Sequence, residues 1–125
     1  MSKLVVSTIE DASGAAGTVA FTGSVQAVAF NATSDARLKT NISDINNGLD
    51  KISKLRGVTF KIHEKSSAGV IAQEMEKIIP AGVSTNKEGF KSVNYDMLIG
   101  YLIEAVKELQ TEVNTLKGKW CGRIF

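Results

Sequence analysis

The sequence predicts an α+β protein with short β-strands, small helices and a long C-terminal helix whose apolar repeat is typical of a helical bundle or coiled coil. Three observations lead to this class. Apolar residues in the last third recur at spacings that alternate between four and three. Short alternating apolar runs, interrupted by Gly, Asn and Pro, fill the middle of the chain. The first 33 residues are rich in small and strand-forming residues and predict an N-terminal β stalk segment.

Composition excludes several classes of protein. The 125 residues include 15 Lys+Arg and 13 Asp+Glu, a formal net charge of +2, so no nucleic-acid partner is expected. No apolar run approaches the roughly 18 residues of a membrane span, and the N-terminus lacks the apolar stretch of a signal peptide, so no membrane partner is expected. Cys121 alone forms no intrachain disulfide, and with His63 it cannot build a zinc site, so no metal is expected.

Charge is unevenly distributed along the chain. Residues 1–33 carry only Lys3, Glu10 and Asp11, whereas residues 34–125 carry 14 basic and 11 acidic residues. We therefore predict two parts: the end of an upstream β-rich stalk over residues 1–33 and a separate domain over residues 34–125. Val19 and Phe21 alternate with smaller residues, and residues 25–30 are rich in strand formers, so short strands are expected in the first part. So small an apolar segment buries a core best against identical copies or an upstream structure.

The next part of the chain predicts a helix. Four apolar residues stand at helical spacing: Ile45, Leu49, Ile52 and Leu55. Ser43 or Asp44 is expected to cap its start, and Gly57 stands where it would end.

Strands and a short helix are predicted in the middle of the chain. Val58, Phe60 and Ile62 alternate as in a strand, and residues 69–72 form a short apolar strand. A helical turn or two follows over residues 73–79 and stops at Pro80. Residues 83–85 and 90–93 flank the turn-forming residues 86–89, which predicts a β-hairpin.

The last element is predicted to be a helix over about residues 95–117 with a 3.5-residue apolar repeat. Its repeating positions are Tyr95, Ile99, Leu102, Val106, Leu109, Val113 and Leu116, and Trp120 continues the pattern. β-Branched residues at a and Leu at d favour two strands, but Leu98, Ile103 and Ala105 widen the apolar face. Periodicity alone therefore leaves open a trimer, packing on the body of the domain, or an amphipathic core helix in a monomer.

Few residues carry catalytic chemistry. His63, at the polar end of a strand, is interpreted as a solvated surface residue, and Cys121 as a buried or incidental thiol. Ser34 and Lys39 remain, because a Ser nucleophile can use a lysine as its general base when burial lowers the lysine's pKa. Five residues of spacing place them on opposite faces of a strand, or about 140° apart on a helix. A turn at residues 35–36 is needed to bring them together, and a solvated Ser-Asp turn is the alternative.

Three ordered stretches resemble one known family. Residues 34–42 (SDARLKTNI), 68–80 (AGVIAQEMEKIIP) and 92–99 (SVNYDMLI), the last running on to 104–109 (EAVKEL), resemble the motifs of the intramolecular chaperone auto-processing domain. That domain ends many bacteriophage tail spikes, tail fibres and neck appendages, and it also occurs in the myelin regulatory factor family. The resemblance covers about residues 34–117. Gly100 departs from it, since the family's pattern often has Pro there.

The resemblance implies an activity. Ser34 matches the nucleophile and Lys39 the general base of a Ser-Lys dyad, while Asp35 and Arg37 match supporting positions. Such domains form homotrimers, help the upstream fibre or spike segment of the same chain to fold, and then cut themselves off. The chain would then be a self-cleaving serine endopeptidase that acts once, in cis. No cofactor is required, and the sequence does not decide whether a nucleotide binds.

Two bonds beside Ser34 are candidates for the cut. Attack by the Ser34 hydroxyl on the carbonyl of Thr33 passes through a five-membered ring, so cleavage of Thr33–Ser34 is favoured over Ser34–Asp35. Two alternatives stand beside self-cleavage: a structural trimerisation cap that does not cut, and a helix-mediated module that binds a partner through residues 95–120. The resemblance implies a viral structural protein assembled in the host cytoplasm, whose released chaperone domain is absent from the mature virion.

Overall fold

The computed structural model describes residues 2–9 and 17–124, with side chains as far as Trp120. It divides into two compact units, Met1–Thr40 and Asn41–Phe125. The boundary between these units lies seven residues after the predicted boundary between residues 33 and 34. The earlier boundary stays a prediction, because it marks the bond expected to be cut rather than a break in packing. The prediction for Cys121 lies outside the described side chains. Within the described residues, no helix is long and apolar enough to cross a membrane.

The first unit differs from its prediction. Over residues 2–9 and 17–33 the backbone forms no strand, and the side chains are exposed, including the 109% exposed Val28. The short strands predicted there are therefore not formed in the single chain. The physical reason is that a strand needs a neighbouring strand for its hydrogen bonds, and this segment pairs with none in the described part of its own unit. Among the described residues of this unit, the one regular element is a 3₁₀ turn at Ala36–Leu38.

In the second unit, helix α1 spans Gly48–Ser53 and starts later than predicted. Neither Ser43 nor Asp44 caps it. Asn47 precedes the helix at φ 60°, in the left-handed region, and makes no side-chain cap. The backbone N–H groups of Gly48 and Leu49 instead donate to the carboxylate of Glu108, each at 3.1 Å. The start of α1 is thus set by a residue distant in sequence.

Two antiparallel strands, β1 (Val58–Ile62) and β2 (Lys65–Gly69), form a hairpin. The first strand confirms its prediction, whereas the second lies earlier than the predicted strand at residues 69–72. His63 and Glu64 form the two-residue loop and both have positive φ, 48° and 65°. A two-residue hairpin loop requires positive φ at both residues, a conformation that Asn-Gly usually supplies. Because His63 and Glu64 are not typical of such a loop, the sequence did not predict the turn.

Helix α2 covers Ala72–Glu76, shorter than the predicted 73–79, and Pro80 begins a 3₁₀ turn at Pro80–Gly82. Strands β3 (Val83–Thr85) and β4 (Lys91–Val93) then pair as an antiparallel hairpin, which confirms the prediction. The side chain of Asn86 holds the turn by accepting from the backbone N–H groups of Glu88 and Phe90, at 3.1 and 2.9 Å.

The long helix α3 runs over Tyr95–Ile124 and confirms the prediction of a long C-terminal helix. The side chain of Asn94 accepts from the backbone N–H of Met97 at 3.3 Å and caps its first turn. The helix continues without a break through Gly100, the position that departs from the family's pattern.

A small core joins α1 and α2 to α3. The buried hydrophobic residues are Met75, Ile79, Leu98 and Ala105. Gly48 lets α1 approach α3 closely, because a Cβ there would lie 3.0 Å from the backbone N of Ala105 and the backbone O of Tyr101. α3 therefore packs on the body of the domain through one face, one of the arrangements that periodicity left open.

Candidate functional site

Ser34 and Lys39 meet across a single turn of the first unit. The Nζ of Lys39 donates to the Oγ of Ser34 at 2.5 Å. The turn that brings them together is the 3₁₀ turn, in which the backbone N–H groups of Leu38 and Lys39 donate to the carbonyls of Asp35 and Ala36, both at 3.1 Å. The sequence required a turn at residues 35–36 to join this pair, and the backbone forms one there.

The Asp35 side chain caps this turn and also pairs with the Arg37 guanidinium. The Oδ1 of Asp35 accepts from the backbone N–H of Arg37 at 2.9 Å and so caps the turn. The Arg37 guanidinium also donates to both carboxylate oxygens, at 2.8 to 3.2 Å. The hydrogen bond from the Arg37 side chain, and then that from its backbone, lowers the pKa of Asp35 below its ordinary value, and the same contact raises the pKa of Arg37.

The site lies open to solvent in the single chain. Ser34, Arg37 and Lys39 are exposed, and Asp35 is half-buried. A Ser nucleophile works best where water is excluded, because a low dielectric strengthens the electrostatic interactions that activate it. The described part of the first unit thus provides the contact between hydroxyl and amine without a surrounding pocket.

His63 lies in the β1–β2 turn and is exposed, so it lies at the end of a hairpin rather than in a cleft. Over residues 2–9 and 17–124, no three His, Cys, Asp or Glu side chains come together in a way that could hold a metal ion.

The apolar repeat of α3 is exposed along most of its length. The exposed fractions are Tyr95 49%, Ile99 55%, Leu102 45%, Val106 61%, Leu109 48%, Val113 40%, Leu116 58% and Trp120 67%. We call this set the α3 seam. Leu98 and Ala105, on the neighbouring face, are the residues buried against the body. The wide apolar stripe therefore consists of two faces, one covered within the chain and one uncovered.

Sequence reasoning missed one residue that organises the domain. Glu108 lies on α3, and its carboxylate accepts from the first two N–H groups of α1. A Glu on a long helix gives no sequence signal for this role, because its partners are backbone N–H groups 59 and 60 residues away.

Comparison with known proteins adds three relatives and a family. The chain is 36% identical over 97 residues to the long tail fiber protein Gp37 of Enterobacteria phage K3, which covers 69% of this chain and 8% of that protein. The identity is also 36% over 97 residues with Gp37 of Enterobacteria phage T2, covering 69% of this chain and 7% of that protein. It is 31% over 108 residues with Gp37 of Salmonella phage S16, covering 76% of this chain and 14% of that protein. The chain thus spans between 7% and 14% of the length of these three relatives.

The family described as chaperone of endosialidase matches residues 34–84. The match begins at Ser34 and includes two of the three stretches that carried the resemblance, at residues 34–42 and 68–80. It ends within the β3–β4 hairpin and leaves α3 outside. Residues 34–84 therefore belong to the chaperone of endosialidase family, a family of self-cleaving chaperones, as their resemblance implied.

Proposed function

We propose that this chain is the intramolecular chaperone of a phage tail fibre or tail spike, a viral structural protein. It forms a homotrimer that aids the folding of the upstream fibre segment. It then releases itself by autoproteolysis with Ser34 as nucleophile and Lys39 as general base. The family match and the tail fibre relatives support the chaperone role. The observation that carries the cleavage is the 2.5 Å contact between the Ser34 hydroxyl and the Lys39 amine.

The chemical step uses only atoms of this chain and water. Lys39, as the neutral amine, accepts the hydroxyl proton while Ser34 Oγ forms a bond to the carbonyl carbon of Thr33 through a five-membered ring. The C–N bond between Thr33 and Ser34 then breaks, and the proton passes to the released Ser34 amine. Water hydrolyses the resulting ester to a Thr33 carboxylate and a free Ser34 hydroxyl. This route cuts Thr33–Ser34 in preference to Ser34–Asp35.

Trimer formation is supported by the α3 seam. Eight apolar side chains lie exposed along one helix face, an area that soluble monomers rarely leave uncovered. The 3.5-residue repeat matches a supercoiled seam between helices, and the two α3 residues that the body buries, Leu98 and Ala105, lie on the neighbouring face. In a parallel arrangement, Glu112 at a g position lies beside Lys117 at an e position of the next chain, so opposite charges meet.

Assembly also provides a reason for a helper domain. Three chains held together by the α3 seams keep their upstream segments at high effective concentration, which reduces the entropic cost of aligning them. Cleavage then removes the domain, and the folded fibre is retained by a high barrier to unfolding. In this proposal folding takes place in the host cytoplasm, and the released domain is absent from the mature virion.

The cleavage is tested by intact mass and denaturing gels of wild type, Ser34→Ala and Lys39→Ala after cell-free synthesis. We expect wild type to yield fragments 1–33 and 34–125, and both variants to stay uncut. Ser43→Ala and Lys61→Ala, exposed residues of the same types, are matched controls that should cut normally. The proposal is wrong if the two dyad variants give the wild-type fragments. Fragments 1–34 and 35–125 would instead assign the cut to Ser34–Asp35.

The trimer is tested separately by sedimentation of the Ser34→Ala chain, which should behave as three copies. Glu112→Lys places like charges across the seam and should weaken the trimer, and adding Lys117→Glu should restore it. A monomer at all concentrations, or no restoration in the double variant, would contradict the proposed parallel seam.

Two other functions have a specific observation in their favour. The exposure of Ser34 and Lys39 favours a structural trimerisation cap that does not cut, which predicts a stable trimer whose mass never changes. The uncovered α3 seam also suits a module that binds a different partner through residues 95–120, which predicts a monomer that associates only with that partner.

A further inference from the structure

The contact between Ser34 and Lys39 depends on a short piece of backbone. Neither an extended chain nor a helix brings two side chains five residues apart together, so the direction of the backbone between them decides whether the hydroxyl meets the amine. Only three residues, Ala36–Leu38, form the 3₁₀ turn that reverses the chain, and such turns have few hydrogen bonds of their own.

We propose that Asp35 is the positioning residue for self-cleavage, because its carboxylate caps this turn and so places the Lys39 amine on the Ser34 hydroxyl. The assignment rests on the proposed function of the dyad. Asp35 Oδ1 accepts from the backbone N–H of Arg37 at 2.9 Å, and the backbone N–H of Lys39 closes the turn on the carbonyl of Ala36 at 3.1 Å. Every hydrogen bond of the Asp35 side chain goes to Arg37 and none to Ser34 or Lys39 among the described residues.

Asp35 makes two kinds of contact with Arg37, a hydrogen bond to its backbone N–H and an ion pair with its side chain, and the first contributes more to the direction of the backbone. The Arg37 guanidinium is 88% exposed, and an ion pair so open to water contributes little to stability. The backbone N–H of Arg37 is part of the turn itself, so its hydrogen bond acts directly on the chain direction. The guanidinium then has a secondary task, which is to hold the carboxylate in the orientation that caps.

A direct acid–base role for Asp35 fits the structure less well. The Arg37 contact lowers the pKa of Asp35, so the carboxyl group is ionised at neutral pH and can only accept hydrogen bonds. A group in that state cannot protonate the leaving amine, and its hydrogen bonds point to Arg37. The geometry thus assigns Asp35 to the turn and leaves proton transfer to Lys39.

The test compares rates of self-cleavage for three variants after cell-free synthesis, followed by gel time courses. Asp35→Ala removes the cap and should slow cleavage about 5- to 30-fold, the factor that loss of a cap produces. Asp35→Asn keeps an acceptor oxygen and should stay within about twofold of wild type. Arg37→Ala keeps the backbone N–H and should also stay within about twofold.

Rescue by Asn is the result that a general loss of stability would not give. The assignment is overturned if Asp35→Ala cleaves at the wild-type rate, or if Asp35→Asn is as slow as Asp35→Ala. Far-UV circular dichroism should show equal helix content in all three chains, because Asp35 lies outside every α-helix.

A second measurement tests whether Asp35 stabilises the 3₁₀ turn independently of cleavage, and it uses the full chain carrying Ser34→Ala. Amide exchange at Leu38 and Lys39 should accelerate when Asp35→Ala is added and should be unchanged when Asp35→Asn is added. Unchanged exchange with Asp35→Ala would overturn the cap. If wild type does not cleave at all, the proposed function fails and with it the positioning role, while this exchange experiment still decides whether Asp35 caps the turn.

Discussion

The hydrogen bonds between Glu108 and the start of α1 make a quantitative prediction about stability. The first N–H groups of a helix have no partner within it, and here two of them donate to the Glu108 carboxylate at 3.1 Å each. Glu108→Gln keeps the shape of the side chain but replaces one acceptor oxygen with an NH₂ group. That group cannot accept from an N–H, so one partly buried donor loses its partner.

The expected loss follows from the contact. A hydrogen bond to a charged group contributes about 1.5–3 kcal/mol, and loss of a helix cap costs about 0.5–2 kcal/mol. We therefore expect Glu108→Gln to lower the free energy of unfolding by about 1.5 kcal/mol. With a urea m-value of about 1–3 kcal/mol/M, the unfolding midpoint falls by about 0.5–1.5 M.

The assay is urea unfolding followed by circular dichroism at one fixed protein concentration, in chains that carry Ser34→Ala so that their length is constant. Glu104→Gln is the matched control, one helical turn away on α3. Among the described residues, the half-buried Glu104 carboxylate pairs with the exposed Lys107 amine at 3.1 Å, so Glu104→Gln should lower the free energy of unfolding by no more than about 0.5 kcal/mol. Equal midpoints for the two Gln variants would refute the reasoning about the α1 cap.

Three further predictions concern packing and charge. Gly48→Ala puts a Cβ 3.0 Å from the α3 backbone and should lower the free energy of unfolding by about 1–3 kcal/mol in thermal melts, whereas Gly118→Ala meets open space and should be neutral or stabilising. Met75→Ala removes a fully buried side chain and should cost about 2–5 kcal/mol in the same melts, and a loss near zero would contradict its place in the core. Arg37→Ala should raise the pKa of Asp35 toward its ordinary value, as measured by NMR titration of the carboxyl carbon. Because the wild-type pKa is lowered, the ionised carboxylate keeps capping the turn as the pH falls, and in the variant this cap is lost at a higher pH. An unchanged titration would show that the ion pair is not formed.

Local patterns predicted the elements whose stabilising contacts are near in sequence. The β3–β4 hairpin was predicted because Asn86 and its neighbours are turn formers, and the structure shows that side chain closing the turn. The long helix was predicted because its apolar repeat runs without a break, and α3 is continuous over it. In the candidate site, Ser34 and Lys39 were singled out from the residues and from the family resemblance.

Other elements depended on contacts that no local pattern reports. The start of α1 was placed too early because Ser43 and Asp44 are good caps by type, whereas the distant Glu108 supplies the actual cap. The β1–β2 turn uses His63 and Glu64 at positive φ, a conformation that neither residue type suggests. Over residues 2–9 and 17–33 the predicted strands are not formed, because strand propensity needs a partner strand to act on.

The sequence by itself determined the α+β class and the long helix with its apolar repeat, while its resemblance to a known family indicated Ser34 and Lys39 as the pair for self-cleavage. The class and the helix follow from periodicity and residue type, which depend on neighbours a few positions away. Tertiary structure decided which face of α3 the body covers, where α1 begins, and that the turn after Asp35 brings the Lys39 amine to the Ser34 hydroxyl. Such features depend on distances between groups, and a distance of a few ångströms is set only when the backbone has folded.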